Sequence, residues 1–284
     1  MFWINPVLID LGALQIRWYG LVYFAGFLLT WRILIGAAHR REAGLTPPHA
    51  EGLITWMVLG TLIGSRIIYY TLYNAPSLAA DPLILFKLWK GGMSFHGAFL
   101  GVIAASYAYC RKHKLPFLSV ADIIVLPASL MLALGRVANF INGELVGTPT
   151  SVPWCVDWTS NPYLAQPPEG CRHPSQLYAA AKNLLMYFIL LGMQLRLTLK
   201  KGTLFWTFVL VYGTGRLATD FLRTPDPGDP VFLGLLIGQW LSLAMAVAAA
   251  IAFLHLHRQQ QEPGTTRQAL TKHINRRQRK KPKR

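Results

Sequence analysis

Acidic side chains, and charged side chains of any kind, are scarce in this chain of 284 residues. Only 12 residues are Asp or Glu, and charged residues amount to 14%. Soluble domains carry about 25% charged residues, so the composition excludes an ordinary soluble domain. The 53% of residues that are hydrophobic fall largely into continuous blocks of about twenty, the length that a helix needs to cross a bilayer. The sequence therefore predicts an integral membrane protein.

The apolar blocks lack the alternation of a transmembrane β-barrel, which leaves an all-α, polytopic fold. A removable signal peptide is also not evident, because residues 1–15 contain neither a basic region nor a small-residue cleavage site. We expect a single membrane domain over residues 1–257, including an extracytoplasmic loop at 140–173. Its transmembrane helices, about seven with a short third one, are predicted at residues 18–38, 52–74, 95–110, 119–139, 174–195, 203–222 and 231–256.

Positive charge is abundant, and its distribution predicts topology rather than a nucleic-acid partner. Residues 258–284 contain ten of the 28 Lys and Arg beside one acidic residue, which predicts a disordered tail that is solvated or contacts anionic lipid. The loops at 39–42, 111–114 and 196–201 contain eight more basic residues. Because the basic side is cytoplasmic, we expect the N-terminus outside and the C-terminus, with its tail, inside. The outer side contains five basic residues, Arg17, Lys87, Lys90, Arg172 and Arg223.

Cysteine is nearly absent, with three residues in the chain. Cys110, at the cytoplasmic end of the third predicted span, is expected to be a packed, reduced thiol. Cys155 and Cys171 flank the predicted outer loop, where an oxidising compartment permits a disulfide. If they pair, closing this loop stabilises the fold by about 3 kcal/mol in the chain-entropy model; the alternative is two unpaired thiols.

Ionisable residues inside a span are costly, which makes each of them a functional candidate. Tyr19, in RWYGLVYF, is better explained from these residues alone as a residue of the aromatic belt. Arg66 has either a structural ion-pairing role or a functional one. His96, in KGGMSFHGAFLG, lies among glycines that permit backbone bends or close helix approach, and this setting favours a functional role. Asp122 is expected to act as a helix-start carboxylate.

The stretch GRVANFINGELVG, residues 135–147, ends the fourth predicted span with an unusual polar group. Arg136 and Asn139 are three residues apart and therefore lie on one side of a helix. An arginine that reaches the outer surface explains Arg136 but does not explain Asn139, Asn142 and Glu144 as well. Gly143 and Gly147 are expected to break the helix into a loop.

The sixth predicted span contains a polar stripe in VYGTGRLATDFLR. Steps of four, four and three residues separate its members, Tyr212, Arg216, Asp220 and Arg223, and place them on one helix face. Arg216 and Asp220 can simply pair with each other, yet Arg136 and Arg223 then still require an anion. A phosphate suits the planar fork of arginine. The residues predict an outward-facing pocket for an anionic lipid headgroup.

Taken together, RWYGLVYFAGF, GGMSFHGAFLGV, GRVANFINGELVG, RHPSQLY and YGTGRLATDFLRTPD resemble the motifs of the phosphatidylglycerol–prolipoprotein diacylglyceryl transferase family, in the same order and over nearly the whole chain. The resemblance implies a bacterial inner-membrane enzyme that transfers the diacylglyceryl group of phosphatidylglycerol to the lipobox cysteine of a prolipoprotein. The products are a thioether and glycerol phosphate. It implies no metal or soluble cofactor. The family's functional positions correspond to Tyr19, His96, Arg136, Asn139, Glu144, Gly147, Tyr212 and Arg216.

Two positions depart from the family pattern. Asp220 stands where the family usually has Glu, so the charge is kept but the reach is one methylene shorter. Ala179 stands where a Glu typically follows HPSQLY, and the role of that carboxylate is absent or replaced. His173, next to Pro174, is expected to order the start of a helix.

These positions suggest a division of roles in thiolate attack on the glycerol carbon. Arg136 and Arg216 are expected to bind the phosphate, with further hydrogen bonds from Asn139. Glu144 and Asp220 are expected to orient the arginines and to lower the cost of burying them. His96 is the leading candidate to accept the cysteine proton, with Tyr19 and Tyr212 as alternatives or as hydrogen-bond partners of the lipid.

The main alternative function is a lipid transporter or flippase that binds the headgroup without chemistry. The two halves of the chain lack the internal repeat that is common in transporters, which disfavours it. A scaffold does not explain the intramembrane arginines, and a nucleic-acid binder rests only on the tail.

Overall fold

The computed structural model describes residues 3–10, 12, 15–87, 90–225 and 231–261, with the side chains of Phe95, His96, His257 and residues 259–261 outside this description. The described residues form a helical bundle with three two-stranded antiparallel hairpins, β1–β2, β3–β4 and β5–β6. The helices are α1 (Trp18–His39), α2 (Pro47–Ile68), α3 (Ala75–Ala80), α4 (Phe95–Lys112), α5 (Phe117–Asn142), α6 (Ser175–Arg196), α7 (Thr203–Asp220) and α8 (Ile237–Gln261). The strands are β1 (Val7–Asp10), β2 (Gln15–Arg17), β3 (Val156–Asp157), β4 (Cys171–Arg172), β5 (Val231–Phe232) and β6 (Leu235–Leu236).

Each of the seven predicted apolar segments corresponds to one long helix among the described residues. Five of these helices, α1, α2, α5, α6 and α8, are long and apolar enough to cross a membrane. The multi-pass membrane character is therefore confirmed, whereas a count of seven spans stays a prediction. α4 ends in Arg111 and Lys112, and α7 contains Arg216 and Asp220, so polar side chains lower the mean hydropathy of both helices.

The predicted boundaries differ from the observed ones mainly at the outer loops. The segment predicted at 231–256 begins with the β5–β6 hairpin, and its helix starts only at Ile237. α2 starts at Pro47 and continues through a wider helical turn, Tyr69–Tyr73. The sequence analysis also missed the β1–β2 hairpin, because apolar periodicity does not reveal a short hairpin next to a membrane helix. From residue 262 onward, the predicted basic tail lies outside the described residues.

Glycines allow α2 and α4 to pack with their backbones in contact. A Cβ atom at Gly60 would lie 2.5 Å from the carbonyl oxygen of Gly101, and a Cβ atom at Gly97 would lie 2.7 Å from the Cβ of Ile68. Such distances exclude any larger residue without a shift of the helices. In the absence of water, close packing of small residues is a main source of helix association in a membrane.

Arg66 is a buried structural anchor at the end of this helix pair. It is 2% exposed, and its guanidinium donates hydrogen bonds to five backbone carbonyls of the following loop, those of Ile84, Leu85, Lys87, Gly91 and Gly92. The structure thus favours the structural alternative for this arginine. By gathering these carbonyls, Arg66 fixes the loop that leads into α4.

α5 is the central helix of the second half of the molecule and contacts α1, α6 and α7. Near its start, the carboxylate of Asp122 accepts hydrogen bonds from the backbone N–H groups of Gly202, at 2.6 Å, and Phe205, at 2.8 Å. Asp122 therefore caps the first turn of α7, rather than the start of its own helix. The contact ties together the two helices that carry Arg136 and Arg216.

Cys110 is fully buried and unpaired, as predicted.

Candidate active site

The polar stripe of α7 lies against α8 and lines a cavity. The Nε of Arg216 lies 3.3 Å from Oδ2 of Asp220, and both side chains are nearly buried. The Nη1 of Arg216 donates a long hydrogen bond, 3.5 Å, to the hydroxyl of the buried Tyr212. α8 approaches closely through Gly238, where a Cβ atom would lie 3.4 Å from Nη2 of Arg216. The Arg216–Asp220 pairing considered from the sequence is present, and it orients the guanidinium.

The cavity lies between α5, α6 and α7, and its empty space, including the part open to solvent, amounts to about 350 Å³. α5 contributes Arg136, which makes no hydrogen bond or salt bridge with any residue that the structure describes. The cavity wall contains four basic side chains and one carboxylate, namely Arg136, Lys182, Arg216, Arg223 and Asp220. The structure thus brings the arginines of two separate motifs into one site with an excess of positive charge.

The amides and the carboxylate after Arg136 form a local network instead of facing the arginines. α5 ends at Gly143, whose φ is 70°. The amide nitrogens of Asn139 and Asn142 donate hydrogen bonds to the two carboxylate oxygens of Glu144, at 2.9 and 3.1 Å. Asn139 is buried, whereas Glu144 is exposed. This arrangement differs from the expected one, in which Glu144 balances the arginines and the Asn139 amide points to the phosphate.

The start of α6 holds the turn that follows Glu144. Ser175 and Gln176 donate side-chain hydrogen bonds to the backbone carbonyls of Leu145, at 2.7 Å, and Glu144, at 2.6 Å. Leu145 has a φ of 57°, a conformation that is unfavourable for a branched side chain and is stabilised here by these bonds. The HPSQ motif thus positions the GELVG motif, a role that the sequence analysis did not assign. His173 lies with Nδ1 3.2 Å from the Tyr178 hydroxyl.

Gly147 is a point of close backbone approach between three segments. Its carbonyl accepts hydrogen bonds from Thr224 at 2.9 Å and from Arg172 at 3.3 Å. A Cβ atom at this position would lie 2.7 Å from the Cβ of His173, so no other residue fits. An isolated β-bridge joins Gly147 to Arg223. Gly147 therefore acts through the backbone and fixes the end of the α7 stripe.

Lys182 is the cavity residue that the sequence analysis missed. It projects from α6, and its Nζ lies over the ring of Tyr212, 4.4 Å from the ring centroid. The sequence did contain a sign of its importance, because only five of the 28 Lys and Arg lie inside predicted spans and Lys182 is one of them. It was overlooked because it belongs to none of the recognisable motifs.

Tyr19, one of the proposed proton acceptors, does not line this cavity, and His96, another, is described only by its backbone. The Tyr19 hydroxyl lies 3.2 Å from that of Tyr23, and Tyr23 is within electrostatic range of Arg136 and Tyr212. The backbone of His96 lies in the first turn of α4, where Ser94 caps the helix through the Gly97 N–H at 3.3 Å. The side chain of His96 lies outside the described residues. No group of three described His, Cys, Asp or Glu side chains is placed to hold a metal ion.

The outer loop folds back on the bundle and is cross-linked. Cys155 and Cys171 form a disulfide with a Cα–Cα distance of 5.5 Å, next to the β3–β4 hairpin. Trp158 is fully buried and packs against Trp3 and Phe140, with ring centroids 5.0 and 5.2 Å apart. In the same hairpin, a hydrogen bond from Thr159 lowers the pKa of the Asp157 carboxyl.

Comparisons with known proteins identify the family that the chain resembles. A sequence model of the family described as prolipoprotein diacylglyceryl transferase matches residues 6–255. The chain is 41% identical over 248 residues to a phosphatidylglycerol–prolipoprotein diacylglyceryl transferase of Rhodospirillum rubrum, covering 85% of this chain and 88% of that protein. A protein of the same name from Solidesulfovibrio magneticus is 41% identical, and the match covers 84% of this chain and 89% of that protein. Another, from Geobacter sulfurreducens, is 40% identical, and the match covers 85% of this chain and 91% of that protein.

Proposed function

The chain belongs to the prolipoprotein diacylglyceryl transferase family, and on this premise we propose that it transfers the diacylglyceryl group of phosphatidylglycerol to a cysteine thiol of a prolipoprotein. The acceptor is the lipobox cysteine, presented by the precursor's signal peptide within the bilayer. The products are a thioether-linked prolipoprotein and glycerol phosphate. A transporter that binds the same headgroup without chemistry has no support from these relatives.

The charge balance of the reaction explains the basic cavity. A thiolate attacks the glycerol carbon that bears the phosphate, a C–S bond forms, and the C–O bond to the phosphate breaks. The phosphate thereby changes from a monoanionic diester to a dianionic monoester, while the thiol proton passes to a base. Fixed cations stabilise an anion whose charge grows along the reaction more than they stabilise the substrate. The single observation that carries the proposal is this cluster of four basic side chains around one carboxylate.

Arg136 and Arg216 are the proposed phosphate ligands. Arg136 is the basic side chain of α5 in the cavity and has no described partner of its own, while Asp220 and Tyr212 orient Arg216. Arg223 was predicted on the same helix face, but α7 ends at Asp220. Arg223 follows the helix in a β-bridge with Gly147 and adds positive charge at the cavity wall. Asn139, Glu144 and Gly147 support the site by fixing the backbone that follows Arg136.

His96 is the proposed acceptor of the thiol proton. A free thiol has a pKa of about 8.5, so a base or a positive field must raise the thiolate fraction. Histidine has an intrinsic pKa of about 6.5 and is suited to accept a proton near neutral pH. The support for His96 is its position in the first turn of α4, in the glycine-rich segment that Arg66 orders. Tyr19 and Tyr212 are the alternatives.

We place the protein in the bacterial inner membrane with seven spans and the cavity near the outer surface. The supporting observation is the distribution of basic residues in the loops, since basic loops remain cytoplasmic. The tail from residue 258 would then lie in the cytoplasm. The cross-linked outer loop would lie on the side at which a prolipoprotein displays its cysteine.

Complementation of a bacterial strain depleted of its own transferase tests the proposed function. The intact chain is expected to restore growth and to produce diacylglyceryl-modified prolipoprotein, detected with lipid labelled in the diacylglycerol part. Good expression in the membrane without any labelled prolipoprotein would contradict the proposal. Label recovered in the opposite leaflet, with no thioether product, would instead support the transporter.

A further inference from the structure

The side chain of Lys182 reaches the cavity through a space that the missing side chain of Gly215 leaves on α7. Its stem crosses α7 at Gly215, where a Cβ atom would lie 2.9 Å from Cγ of Lys182 and would also collide with Cδ. Only a glycine therefore leaves room for the methylene chain of the lysine. The ammonium group ends over the ring of Tyr212, on the face that carries Arg216. Gly215 and Lys182 thus form a steric pair, and the pair directs a third cation toward the two arginines.

Lys182 lies about two turns into α6, beside the polar stripe of α7. It is the eighth residue of α6, or about 10 Å along the helix at 1.5 Å per residue, counted from the end that holds the Glu144–Leu145 turn. Ala179 lines the same cavity one turn earlier and carries no charge, so it does not neutralise the lysine.

A lysine in this position lacks a sufficient counter-charge among the described residues. Arg136, Arg216 and Asp220 all lie within electrostatic range of it, and the Asp220 carboxylate is already 3.3 Å from Arg216. Like charges in a poorly solvated site destabilise one another unless an anion is bound between them. The ring face of Tyr212 offsets only part of this cost, because a cation–π contact is weaker than an ion pair with a bound anion.

We propose that Lys182 is a third phosphate ligand, which binds the phosphate of phosphatidylglycerol and, more strongly, that of the leaving glycerol phosphate. This inference rests on the proposed function and adds to it a specificity-determining residue. The ammonium is a compact point charge with three donors, so it complements the fork of Arg216 without competing for the same geometry. Because the phosphate gains charge as the C–O bond breaks, the contribution of Lys182 grows along the reaction.

Binding of glycerol phosphate to the purified full-length protein in detergent, followed by calorimetry, tests this role independently of turnover. Lys182→Met keeps the length of the side chain and removes its charge. We expect it to weaken glycerol phosphate binding roughly 10- to 100-fold, the range of one charge-assisted hydrogen bond, while Lys182→Arg keeps most of the affinity. Lys112→Met is the matched control, because Lys112 also lies over an aromatic ring, that of Trp56, but ends α4 and does not line the cavity. Unchanged affinity in Lys182→Met would overturn the proposal.

Steady-state kinetics of the transfer reaction distinguish a phosphate-binding role of Lys182 from a purely structural one. In Lys182→Met the KM for phosphatidylglycerol should rise and the inhibition by glycerol phosphate should weaken further still, while the KM for the acceptor peptide stays unchanged. Equal changes in all three constants would mean a structural role and would refute the assignment. Gly215→Ala should reproduce the defect by displacing the lysine, and it should add little to Lys182→Met; full additivity would also refute it. A wild-type protein that binds glycerol phosphate but transfers no lipid would contradict the proposed function alone.

Discussion

The guanidinium of Arg216 is oriented by two residues of its own helix, which makes its shape as important as its charge. Asp220 contacts Nε and Tyr212 accepts from Nη1, so the plane of the fork has a fixed direction. Arg216→Lys is expected to lower kcat/KM for phosphatidylglycerol at least about 100-fold, because an ammonium cannot bind phosphate bidentately. The measurement is transfer of labelled diacylglycerol in isolated membranes.

Arg32→Lys is the matched control for this arginine, since Arg32 lies on an exposed face of α1, away from the cavity wall. It should keep normal activity. Full activity in Arg216→Lys would refute bidentate binding.

We expect His96 to determine the route of the thiol proton. His96→Gln keeps a hydrogen-bonding group but removes the base, and we expect kcat to fall by about 100-fold or more, the usual contribution of general-base catalysis. Binding of phosphatidylglycerol should be unaffected, which a KM measurement checks. His113→Gln, at the other end of α4, is the control. Near-normal turnover of His96→Gln would transfer the role to Tyr19 or Tyr212.

Individual residues show where sequence reasoning succeeds and where it stops. The α7 stripe was predictable because the helical period alone places Tyr212, Arg216 and Asp220 on one face. The Asn139–Glu144 bond was not, because it depends on how the chain turns after Gly143. Lys182 was missed for another reason: its neighbours in α7 are remote in the sequence, and only packing brings them together.

At the scale of helices, the contact between α2 and α4 depends on the absence of side chains. A Cβ atom at Gly64 would lie 2.8 Å from the Cα of Gly101 and would collide with the carbonyl of Gly97. Gly64→Ala is expected to destabilise the protein by about 1–3 kcal/mol, as overpacking does, and to lower the thermal midpoint in detergent by about 2–10 °C.

Gly192→Ala provides the comparison, because no atom lies within 4 Å of a Cβ built at this α6 position. That change should be neutral or slightly stabilising, since alanine favours helix. Equal thermal midpoints for the two variants would show that the helices adjust to the added methyl group.

The outer loop is closed by one disulfide between two of its own residues, and one buried ring, that of Trp158, packs it against the bundle. Replacing Cys155 and Cys171 with serine removes the cross-link across 16 residues and should destabilise the closed loop by about 3 kcal/mol. Limited proteolysis should then cut between residues 158 and 170 faster than in the wild type. Reducing agent should accelerate cleavage of the wild type but not of the double variant. Identical cleavage rates before and after reduction would show that Trp158 packing suffices.

The helices themselves were largely predictable, because membrane burial imposes long apolar runs that are visible in the sequence. The hairpins before α1 and α8 were not, because they lie outside those runs or at their edge and are stabilised by contacts such as the hydrogen bond from Trp240 Nε1 to the carbonyl of Phe232, at 2.9 Å. The sequence indicated that the glycines of α4 permit close helix approach. It did not identify which residues of α2 they contact, because that depends on the fold.

At the scale of the whole molecule, the distribution of basic residues predicts which end of the bundle faces the cytoplasm. Arg41→Cys and Thr159→Cys place single thiols in a basic loop and in the outer loop. In intact spheroplasts, an impermeant maleimide should label Thr159→Cys, whereas Arg41→Cys should react only after permeabilisation. The native cysteines give little background, since one is buried and two are bonded to each other. The reverse labelling pattern would invert the proposed topology.

The hydrogen bonds from α7 to Asp122 have a consequence for how the molecule is made. Gly202 follows Asp122 by 80 residues, and a ribosome that adds about 5–20 residues per second needs roughly 4–16 s to synthesise that length. During this interval α5 is already present with Asp122 and Arg136, but the first turn of α7 is not. The cavity that Arg136 and Arg216 line is therefore completed late in translation, and a chain released before residue 203 contains only one of these two arginines.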